Sequence, residues 1–336
     1  MQHLDADLLR RTSSGILRHA GVPDQHAELQ TELLLEAELR GVPSHGLLRL
    51  PRLVERIGNG VIDPGTTGEH EWRREAFLAV DGRKGLGPVV ADAALTAISE
   101  RARQTGIALA AVRNANHIGM LGFYAERVAK AGQTALVFST SEALVHPWGG
   151  RKALLGTNPI AIGVPTETEP FVMDTATSIV SMGEVHDHAN RGAPLTPGWA
   201  LDANGDPTTD AQAAKSGALA PFGGAKGYAL GLAFGLLTSS LAGAALGRDV
   251  RGTLDSDALC NKGDLFIVID GPNAMLAEYL AQLREAEPAD GFERVLIPGE
   301  RGRACRAERL RKGIPLADGI WAELQLMANQ AGAKGV

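Results

Sequence analysis

Two segments of the chain carry a histidine in a setting where an imidazole can exchange a proton with a substrate. The first is Ser44-His45-Gly46, and Arg49 follows His45 by four positions. Residues four apart share one face of a helix, so these two side chains would reach the same small volume. A guanidinium binds a carboxylate through two parallel hydrogen bonds, and an imidazole titrates near neutral pH. The spacing indicates a proton-transfer group beside a carboxylate clamp, with a capping serine on a solvated basic face as the alternative.

The second histidine, His117, stands between a predicted strand and a predicted helix. It ends the segment Asn114-Ala115-Asn116-His117, after a strand over residues 107–113 and before a helix from about residue 120. Loops in this position of α/β proteins carry reacting groups. A catalytic imidazole and a structural, hydrogen-bonded one are both compatible with this sequence.

Neither of the common nucleotide-binding motifs is present. Gly58-Asn59-Gly60 and Gly85-Leu86-Gly87 both lack the third glycine of G-x-G-x-x-G, so an ordinary Rossmann domain is not predicted. Gly223-Gly224-Ala225-Lys226 is not a P-loop, because no serine or threonine follows the lysine. A lysine and backbone amides at a helix start can still bind an anion. Lys226 is therefore an anion-binding candidate, or part of a turn that opens a buried helix.

The composition is that of an ordinary globular protein. Of 336 residues, 44% are hydrophobic and 21% are charged, which excludes a disordered or fibrous chain. The formal net charge of −6 disfavours nucleic acid and anionic membranes as partners. Cys260 and Cys305 lie far apart, so neither a disulfide framework nor a thiolate zinc site is expected.

Two features bear on the compartment. The first residues lack the apolar segment of a signal peptide, so we expect a cytoplasmic protein. Residues 227–247 carry no charge over a length near that of a membrane span, but glycine and alanine make up much of the stretch and Ser239 and Ser240 interrupt it. We expect a buried helix there, packed closely against a sheet or a second subunit.

The order of predicted elements is that of an α/β fold with a mixed sheet. Predicted helices cover about residues 5–19, 24–40, 48–58, 88–104, 120–131, 227–247 and 273–287. Predicted strands cover about residues 76–82, 107–113, 134–139, 160–165, 171–174 and 264–270. The polar stretch 192–220 is rich in proline and glycine and predicts turns.

Six segments of the chain resemble the malate/L-lactate dehydrogenase family of non-Rossmann oxidoreductases. They are RGVPSHGLLRLPRLVERIGNGVIDP, NANHIGMLGFYAERVAKAG, HPWGGRKALLGTNPIAIGVP, FVMDTATSIVSMGEV, PGWALDANGDPTTD and PFGGAKGYALGLAFGLL. The resemblance runs through nearly the whole chain, in order and at matching spacings. The missing glycine fingerprint is expected of this family, which binds its cofactor on a different sheet.

The resemblance implies a role for each candidate residue. His45 and His117 correspond to the family's active-site histidines, one of which transfers the proton. Arg49 matches the residue that holds the substrate carboxylate, and Ser44 would line the same pocket. The positions that match the cofactor site are Ser141, Asp174, Thr175, Ala176, Lys226, Gly299, Glu300 and Arg301. No metal is implied.

The resemblance also implies an activity. It is hydride transfer between NAD or NADP and a small 2-oxo or 2-hydroxy acid of the malate, sulfolactate or lactate type. Reduction of a cyclic imino acid such as piperideine- or pyrroline-2-carboxylate, and oxidation of ureidoglycolate, are alternatives within the family. An inactive paralogue that only binds an acidic metabolite is the alternative outside enzymology.

A homodimer with two lobes interleaved in sequence is the implied organisation. Residues 1–70 form a helical part with the substrate residues, and residues 71–270 form a central α/β part that binds the cofactor. Residues 271–336 form a helical part that returns to the first lobe. Residues 1–336 are thus expected to be one family unit.

Overall fold

The computed structural model describes residues 2–272 and 275–330. The helices are α1 (Ala6–His19), α2 (Asp24–Leu39), α3 (Leu50–Gly58), α4 (Gly87–Thr105), α5 (Leu121–Lys130), α6 (Met182–Arg191), α7 (Ala211–Ala214), α8 (Ala225–Ala242), α9 (Ala277–Arg284), α10 (Glu300–Lys312) and α11 (Asp318–Gln330). The strands are β1 (Gln2–Leu4), β2 (Glu69–Arg74), β3 (Phe77–Asp81), β4 (Ile107–Arg113), β5 (Thr134–Ser139), β6 (Ile160–Val164), β7 (Phe171–Thr175), β8 (Ala200–Leu201), β9 (Pro207–Thr208), β10 (Ala218–Leu219), β11 (Gly263–Ile269) and β12 (Ile314–Leu316). Short 3-10 helices cover Pro43–His45, Leu47–Arg49 and Gly247–Asp249.

Seven of the described strands form one mixed sheet, which confirms the predicted fold class. Their order is β2-β3-β4-β11-β5-β6-β7, with β3 and β4 parallel and the other neighbours antiparallel. The central strand β11 comes late in the chain and pairs along its length with β4 and β5. A continuous apolar run is typical of a strand that is covered on both faces.

The two faces of the sheet are covered by different helices. Phe266 and Val268 belong to the core that β11 forms with α4 and α5, whereas Leu265 and Ile267 pack toward α8. Alternate residues of a strand point to opposite faces, so one apolar run serves both cores. Each fully buried side chain of this kind contributes roughly 1.5–3 kcal/mol.

The helices at the two ends of the sequence form one body, which we call the helical lobe. It consists of α1, α2, α3 and α11 and is joined by the antiparallel pair β1–β12. Its core includes Leu9, Leu17, Leu34, Leu50, Trp321 and Leu324. The lobe packs against the sheet through α2, which contacts α4.

Helix α8 departs from the prediction of a buried helix. Its exposed leucines are 37–49% accessible and are Leu230, Leu232, Leu236, Leu237 and Leu241. The glycines Gly227, Gly231 and Gly235 are buried at a spacing of four residues and form the inner stripe. A helix that is apolar all round can bury only one side against a sheet, so the leucine side stays open in the single chain. Within the described residues, no helix is both long and apolar enough to cross a membrane.

The remaining elements agree with the predictions only in part. The third helix is preceded by two 3-10 turns, and its regular part, α3, begins at Leu50, as predicted from Pro51, which lacks the amide hydrogen of a helix interior. The polar stretch 192–220 holds α7 and the small sheet β10-β8-β9. The predicted helix from Asn273 is observed as α9, and Asn273 itself lies outside the described residues. β2, α10 and α11 were not predicted from the sequence.

Candidate active site

A cleft of about 1790 Å³ runs between the helical lobe and the sheet. The pockets that hold small molecules are usually roughly 300–1,000 Å³, so this cleft has room for a substrate and a larger cofactor together. The predicted site residues that line it are Ser44, His45, Arg49, His117, Ser141, Asp174, Thr175, Ala176, Gly299 and Arg301. Two predicted residues, Lys226 and Glu300, are not part of its lining.

His45 and His117 meet inside this cleft. Their ring centroids are 5.3 Å apart, and the planes are inclined by 40°. His45 comes from the 3-10 turn before α3, and His117 comes from the loop between β4 and α5. The two imidazoles, separated by 72 positions in sequence, therefore face one small volume.

His117 has a defined hydrogen-bonding state. The backbone amide of Gly119 donates to His117 Nδ1 at 2.9 Å. A ring nitrogen that accepts a hydrogen bond carries no proton, so the proton of the neutral imidazole is assigned to Nε2. Nε2 is therefore the atom of His117 that is left for proton exchange with a ligand.

The loop that carries His117 is held in place by buried hydrogen bonds. Asn116 donates to the carbonyl oxygens of Lys84 and Gly85 at 2.7 and 2.9 Å, and its own carbonyl oxygen accepts from Arg56 Nη2 at 2.9 Å. Arg56 is 3% exposed and also bonds the loop that follows Gly252. The side chains of Asn116 and Arg56 therefore attach the His117 loop to α3 on one side and to the residues just before α4 on the other.

The Ser-His-Gly turn lies against a buried carboxyl group. Glu38 Oε1 accepts from the Leu47 amide at 2.9 Å, and a Cβ atom at Gly46 would lie 2.2 Å from the same oxygen. Only glycine therefore fits at position 46. Burial is the largest influence on the Glu38 carboxyl and raises its pKa to about 7, although the Leu47 hydrogen bond acts in the other direction.

Arg49 offers its terminal nitrogens to the cleft. Its Nε donates to the Ser44 carbonyl oxygen at 2.7 Å, and no other partner of its guanidinium exists among the residues that the structure describes. Burial and the neighbouring charge of Arg52 lower the pKa of Arg49 to about 10, so it remains a cation at neutral pH. A free, charged fork of this kind fits a carboxylate.

Both imidazoles are neutral in the free protein. Burial, followed by the positive charge of Arg49, lowers the pKa of His45 to about 3. Burial also lowers the pKa of His117 well below its usual value, with Arg49, His45 and Lys262 acting in the same direction. A bound carboxylate would offset the Arg49 charge and raise both pKa values. A carboxylate ligand at Arg49 would therefore favour proton uptake by the two histidines.

The residues predicted to hold a cofactor line the far part of the cleft. Ser141 Oγ accepts from the Thr157 amide at 2.9 Å, and Asp174 Oδ2 accepts from the Gly122 amide at 2.6 Å. Asp174 is open to the cleft, but the surrounding walls desolvate it and raise its pKa to about 6. Arg301 is exposed at the start of α10 and has no partner within the described residues. Hydroxyls, a carboxyl and a free cation suit the ribose and phosphate groups of a dinucleotide.

Lys226 and Glu300, which were predicted to bind the cofactor, lie outside the cleft lining. Lys226 is exposed at the start of α8, outside the cleft of the single chain. The Glu300 carboxylate accepts from the Ile297 amide at 2.9 Å and pairs with Arg284 at 2.6 Å. Glu300 thus holds the turn that presents its two neighbours to the cleft.

Several residues of the cleft were missed by the sequence analysis. Lys262 lines it and forms a buried ion pair with Asp264, which also accepts from Ser139 Oγ at 2.6 Å. Glu142 accepts at 2.9 Å from both the amide and the hydroxyl of Thr253. The sequence does contain a signal for Lys262 and Asp264, because both charges stand at the start of the most apolar strand. Charged residues are rarely buried without a partner, so two opposite charges there predict an ion pair. Among the described residues, no cluster of histidine, cysteine and carboxylate side chains could hold a metal ion.

The chain is similar to known proteins over nearly its full length. A family model for malate/L-lactate dehydrogenase matches residues 4–325. L-sulfolactate dehydrogenase from Methanocaldococcus jannaschii is 34% identical over 325 residues, which cover 94% of this chain and 94% of the relative.

Solved structures give the same result. The crystal structure of a dehydrogenase from Sinorhizobium meliloti superposes with a TM-score of 0.94 at 52% identity and covers 97% of this chain and 98% of that one. Δ1-Piperideine-2-carboxylate reductase from Pseudomonas syringae superposes with a TM-score of 0.86 at 31% identity and covers 97% of this chain and 100% of that one.

Proposed function

This chain belongs to the malate/L-lactate dehydrogenase family, and we propose that the cleft between its helical lobe and its sheet is the active site. The protein is an oxidoreductase that uses NAD or NADP and acts on a CH–OH group. Its substrate is a small 2-oxo or 2-hydroxy acid of the malate, sulfolactate or lactate type. When bound, the nicotinamide supplies or accepts the hydride at C2 of that acid.

One observation carries this proposal: two imidazoles and a free guanidinium face the same volume. The Arg49 fork binds the substrate carboxylate and so fixes the C2 oxygen relative to the histidines. His117 exchanges a proton with that oxygen at Nε2, because its Nδ1 is occupied by the Gly119 amide. His45 and Ser44, whose Nδ1 and Oγ are 2.9 Å apart, orient the substrate.

The proposed cofactor residues surround the remaining volume of the cleft. Ser141, Asp174 and Thr175 would hold the ribose hydroxyls, and Arg301 would hold a phosphate group. Ala176 and Gly299 would shape the wall beside them. Glu300 contributes by holding the turn, and a direct role of Lys226 requires that a second subunit complete its surroundings.

We extend the proposal to a cytoplasmic homodimer. The exposed leucines of α8 form an apolar face that a second copy of the chain would cover. Both cysteines are free thiols, which fits a reducing compartment. The residue ranges 1–70, 71–270 and 271–336 remain our proposed division of one two-lobed unit, and the β1–β12 pair supports the return of the last range to the first.

The test is a substrate panel. Purified full-length protein is mixed with NADH or NADPH and with oxaloacetate, sulfopyruvate, pyruvate and Δ1-piperideine-2-carboxylate, and the loss of reduced nicotinamide absorbance is followed. We expect turnover with one of the 2-oxo acids. No turnover of any compound, despite cofactor binding by calorimetry, would overturn the proposal in favour of an inactive metabolite-binding protein.

Cyclic imino acid reduction is the second candidate function. The structural similarity to the Pseudomonas syringae reductase favours it. A cyclic imine has the same C1 carboxylate for Arg49, and its ring nitrogen takes the place of the C2 oxygen. Turnover of the imine together with inert 2-oxo acids would select this candidate.

A further inference from the structure

A buried ion pair forms part of the cleft wall on the sheet side. The Lys262 and Asp264 side chains are 2% and 1% exposed, and Nζ lies 2.5 Å from Asp264 Oδ2. The two residues are two positions apart at the start of β11, so they point to the same side of the strand. Ser139 Oγ on the neighbouring strand β5 donates to Asp264 Oδ1 at 2.6 Å. Both oxygens of the carboxylate therefore accept hydrogen bonds.

The ammonium of Lys262 has one donor with only a distant partner among the described residues. It has three donors, and two of them are directed at the two oxygens of Asp264. The remaining partner inside the structure is Ser139 Oγ at 3.5 Å, a distance at which a hydrogen bond is weak. Lys262 also lines the cleft, so its positive charge is the part of the pair that borders the ligand volume.

Stability alone does not account for this pair. Desolvating two charges costs about as much as their attraction returns, and apolar residues of similar volume often stabilise a core better. The rest of β11, Leu265 to Ile269, is apolar and packs well on both faces. Charged residues are almost never fully buried without a partner, so a buried charge beside a ligand-sized cleft is a candidate for a role in that cleft.

The titratable and charged groups around His117 come from both sides of the cleft. His45 and Arg49 approach from the 3-10 turns of the helical lobe, and Lys262 approaches from the sheet. Arg56 of α3 acts from behind, through its hydrogen bond to Asn116. Of the Lys262–Asp264 pair, the lysine has the larger effect on the pKa of His117.

We propose that Lys262 is a positioning residue of the active site, whose ammonium, held by Asp264 and Ser139 in the sheet-side wall, places a fixed positive charge beside the cleft that His117 and Arg49 also line. This inference rests on the proposed function of the cleft. A fixed positive charge makes the protonated imidazole a stronger acid when a 2-oxo acid is reduced, and it stabilises negative charge on the substrate oxygen. In the oxidation direction it keeps His117 available as a base.

The experiment compares two substitutions that change the charge in opposite directions. Lys262→Met removes the positive charge, and we expect the kcat pH profile of full-length enzyme to show the His117 limb about one pH unit higher. Asp264→Asn removes the negative charge and keeps the lysine, so the same limb should move to lower pH. If the substitutions act only by loosening the packing, the His117 limb should move in the same direction in both variants or should not move. Opposite shifts are therefore specific to an electrostatic role.

Controls cover misfolding and unrelated charge effects. Lys262→Arg keeps the charge and should retain the wild-type limb. The double variant K262M/D264N contains no buried unpaired charge, and because its two shifts oppose each other, it should show a smaller upward shift than K262M. Lys312 and Glu308 form an exposed pair of the same types, and Lys312→Met and Glu308→Gln should shift nothing. If either single variant fails to fold, the Lys262→Arg and double variants decide the outcome.

A second readout does not depend on turnover. NMR titration of the His117 imidazole, assigned by its loss in His117→Asn, should show a higher pKa in K262M/D264N than in the wild type. If the wild type is active, but neither the pH limbs nor the His117 titration shift in the Lys262 and Asp264 variants, the proposed role of Lys262 is wrong and the proposed function stands. A wild type that reduces no substrate while the imidazole titration still shifts overturns the proposed function and leaves the electrostatic coupling in place.

Discussion

His45 and His117 face each other across the cleft, but the helical lobe and the sheet hold them in different ways. Within residues 2–272 and 275–330, the hydrogen-bond partner of His45 Nδ1 is the adjacent Ser44 hydroxyl, which can donate or accept. The Nδ1 atom of His117 accepts from a backbone amide, which can only donate. The sheet side therefore fixes a tautomer, and the lobe side leaves it open.

The supports behind the two histidines differ in the same sense. The His117 loop is held by the neutral side-chain amide of Asn116, which in turn accepts from the buried guanidinium of Arg56. The His45 turn is held by Glu38, a carboxyl group that titrates near pH 7. This difference supports our proposal that His117, on the sheet side, transfers the proton and that His45, on the lobe side, orients the substrate.

The largest expected effect separates the two histidines. His117→Asn should lower kcat by about 10²–10⁴, the usual contribution of an acid–base group, and should remove one limb of the pH profile. His45→Asn should act more on KM, because an orienting residue contributes to binding in ground and transition states alike. Steady-state kinetics from pH 5 to 9 with the preferred substrate measure both.

The reverse result would exchange the roles. If His45→Asn alone abolishes the limb, the fixed tautomer of His117 is not the proton-transfer feature. If neither variant loses more than about tenfold in kcat, an imidazole mechanism is wrong.

The sequence was sufficient for the sheet, because apolar runs and their order specify β3 to β7 and β11 as a mixed α/β sheet. It was insufficient for β2, whose residues Glu69–Arg74 are exposed throughout and have no apolar alternation. It also failed for the outer face of α8, because composition does not tell which side of an apolar helix meets the sheet.

The site shows a similar limit. His45 and Arg49 were expected on one face of an α-helix, and they line one cleft from two consecutive 3-10 turns instead. Lys262 was not predicted, because its position beside the cleft depends on the pairing of β11 with β5. The paired residues Ser139 and Asp264 are 125 positions apart in the sequence. Local spacing indicates neighbours within a turn, whereas contacts across the sheet depend on the whole fold.

The second prediction tests the carboxylate clamp on the lobe side. Arg49→Lys keeps a positive charge but loses the planar fork, so KM for a 2-oxo acid should rise by about tenfold. The dissociation constant of the cofactor, measured by calorimetry, should not change. Arg103→Lys on the exposed side of α4 is the matched control. Equal damage to substrate and cofactor binding would show that Arg49 shapes the fold rather than the clamp.

The third prediction concerns the carboxyl group under the His45 turn. The raised pKa of Glu38 means that the folded chain binds this proton more tightly than the unfolded chain does. The protonated Glu38 carboxyl adds to the free energy of unfolding below pH 4.5, and this stabilisation is lost as the pH rises to about 7. Glu38→Gln keeps an oxygen for the Leu47 amide and should remove this loss, roughly 1–3 kcal/mol.

Denaturant unfolding at several pH values measures the difference between the wild type and Glu38→Gln. The difference should grow from pH 4.5 to 7 and favour the variant at pH 8. Glu308→Gln, at an exposed position, is the control. Parallel stability curves for the wild type and Glu38→Gln would show that Glu38 does not titrate in the folded chain.

The smallest expected effect concerns Lys226, which lies on neither side of the cleft. An exposed lysine that reaches an anion through solvent contributes roughly 0.2–1 kcal/mol, so Lys226→Ala should raise the cofactor dissociation constant by less than about fivefold. The effect should disappear as salt is added, because ions screen exposed charges beyond about 10 Å at 0.1 M. Lys312→Ala, an exposed lysine at the end of α10, controls for the general loss of charge. A much larger, salt-resistant loss of affinity would mean that Lys226 is buried against the cofactor when the leucine face of α8 is covered, and the cofactor site would then belong to two subunits rather than one.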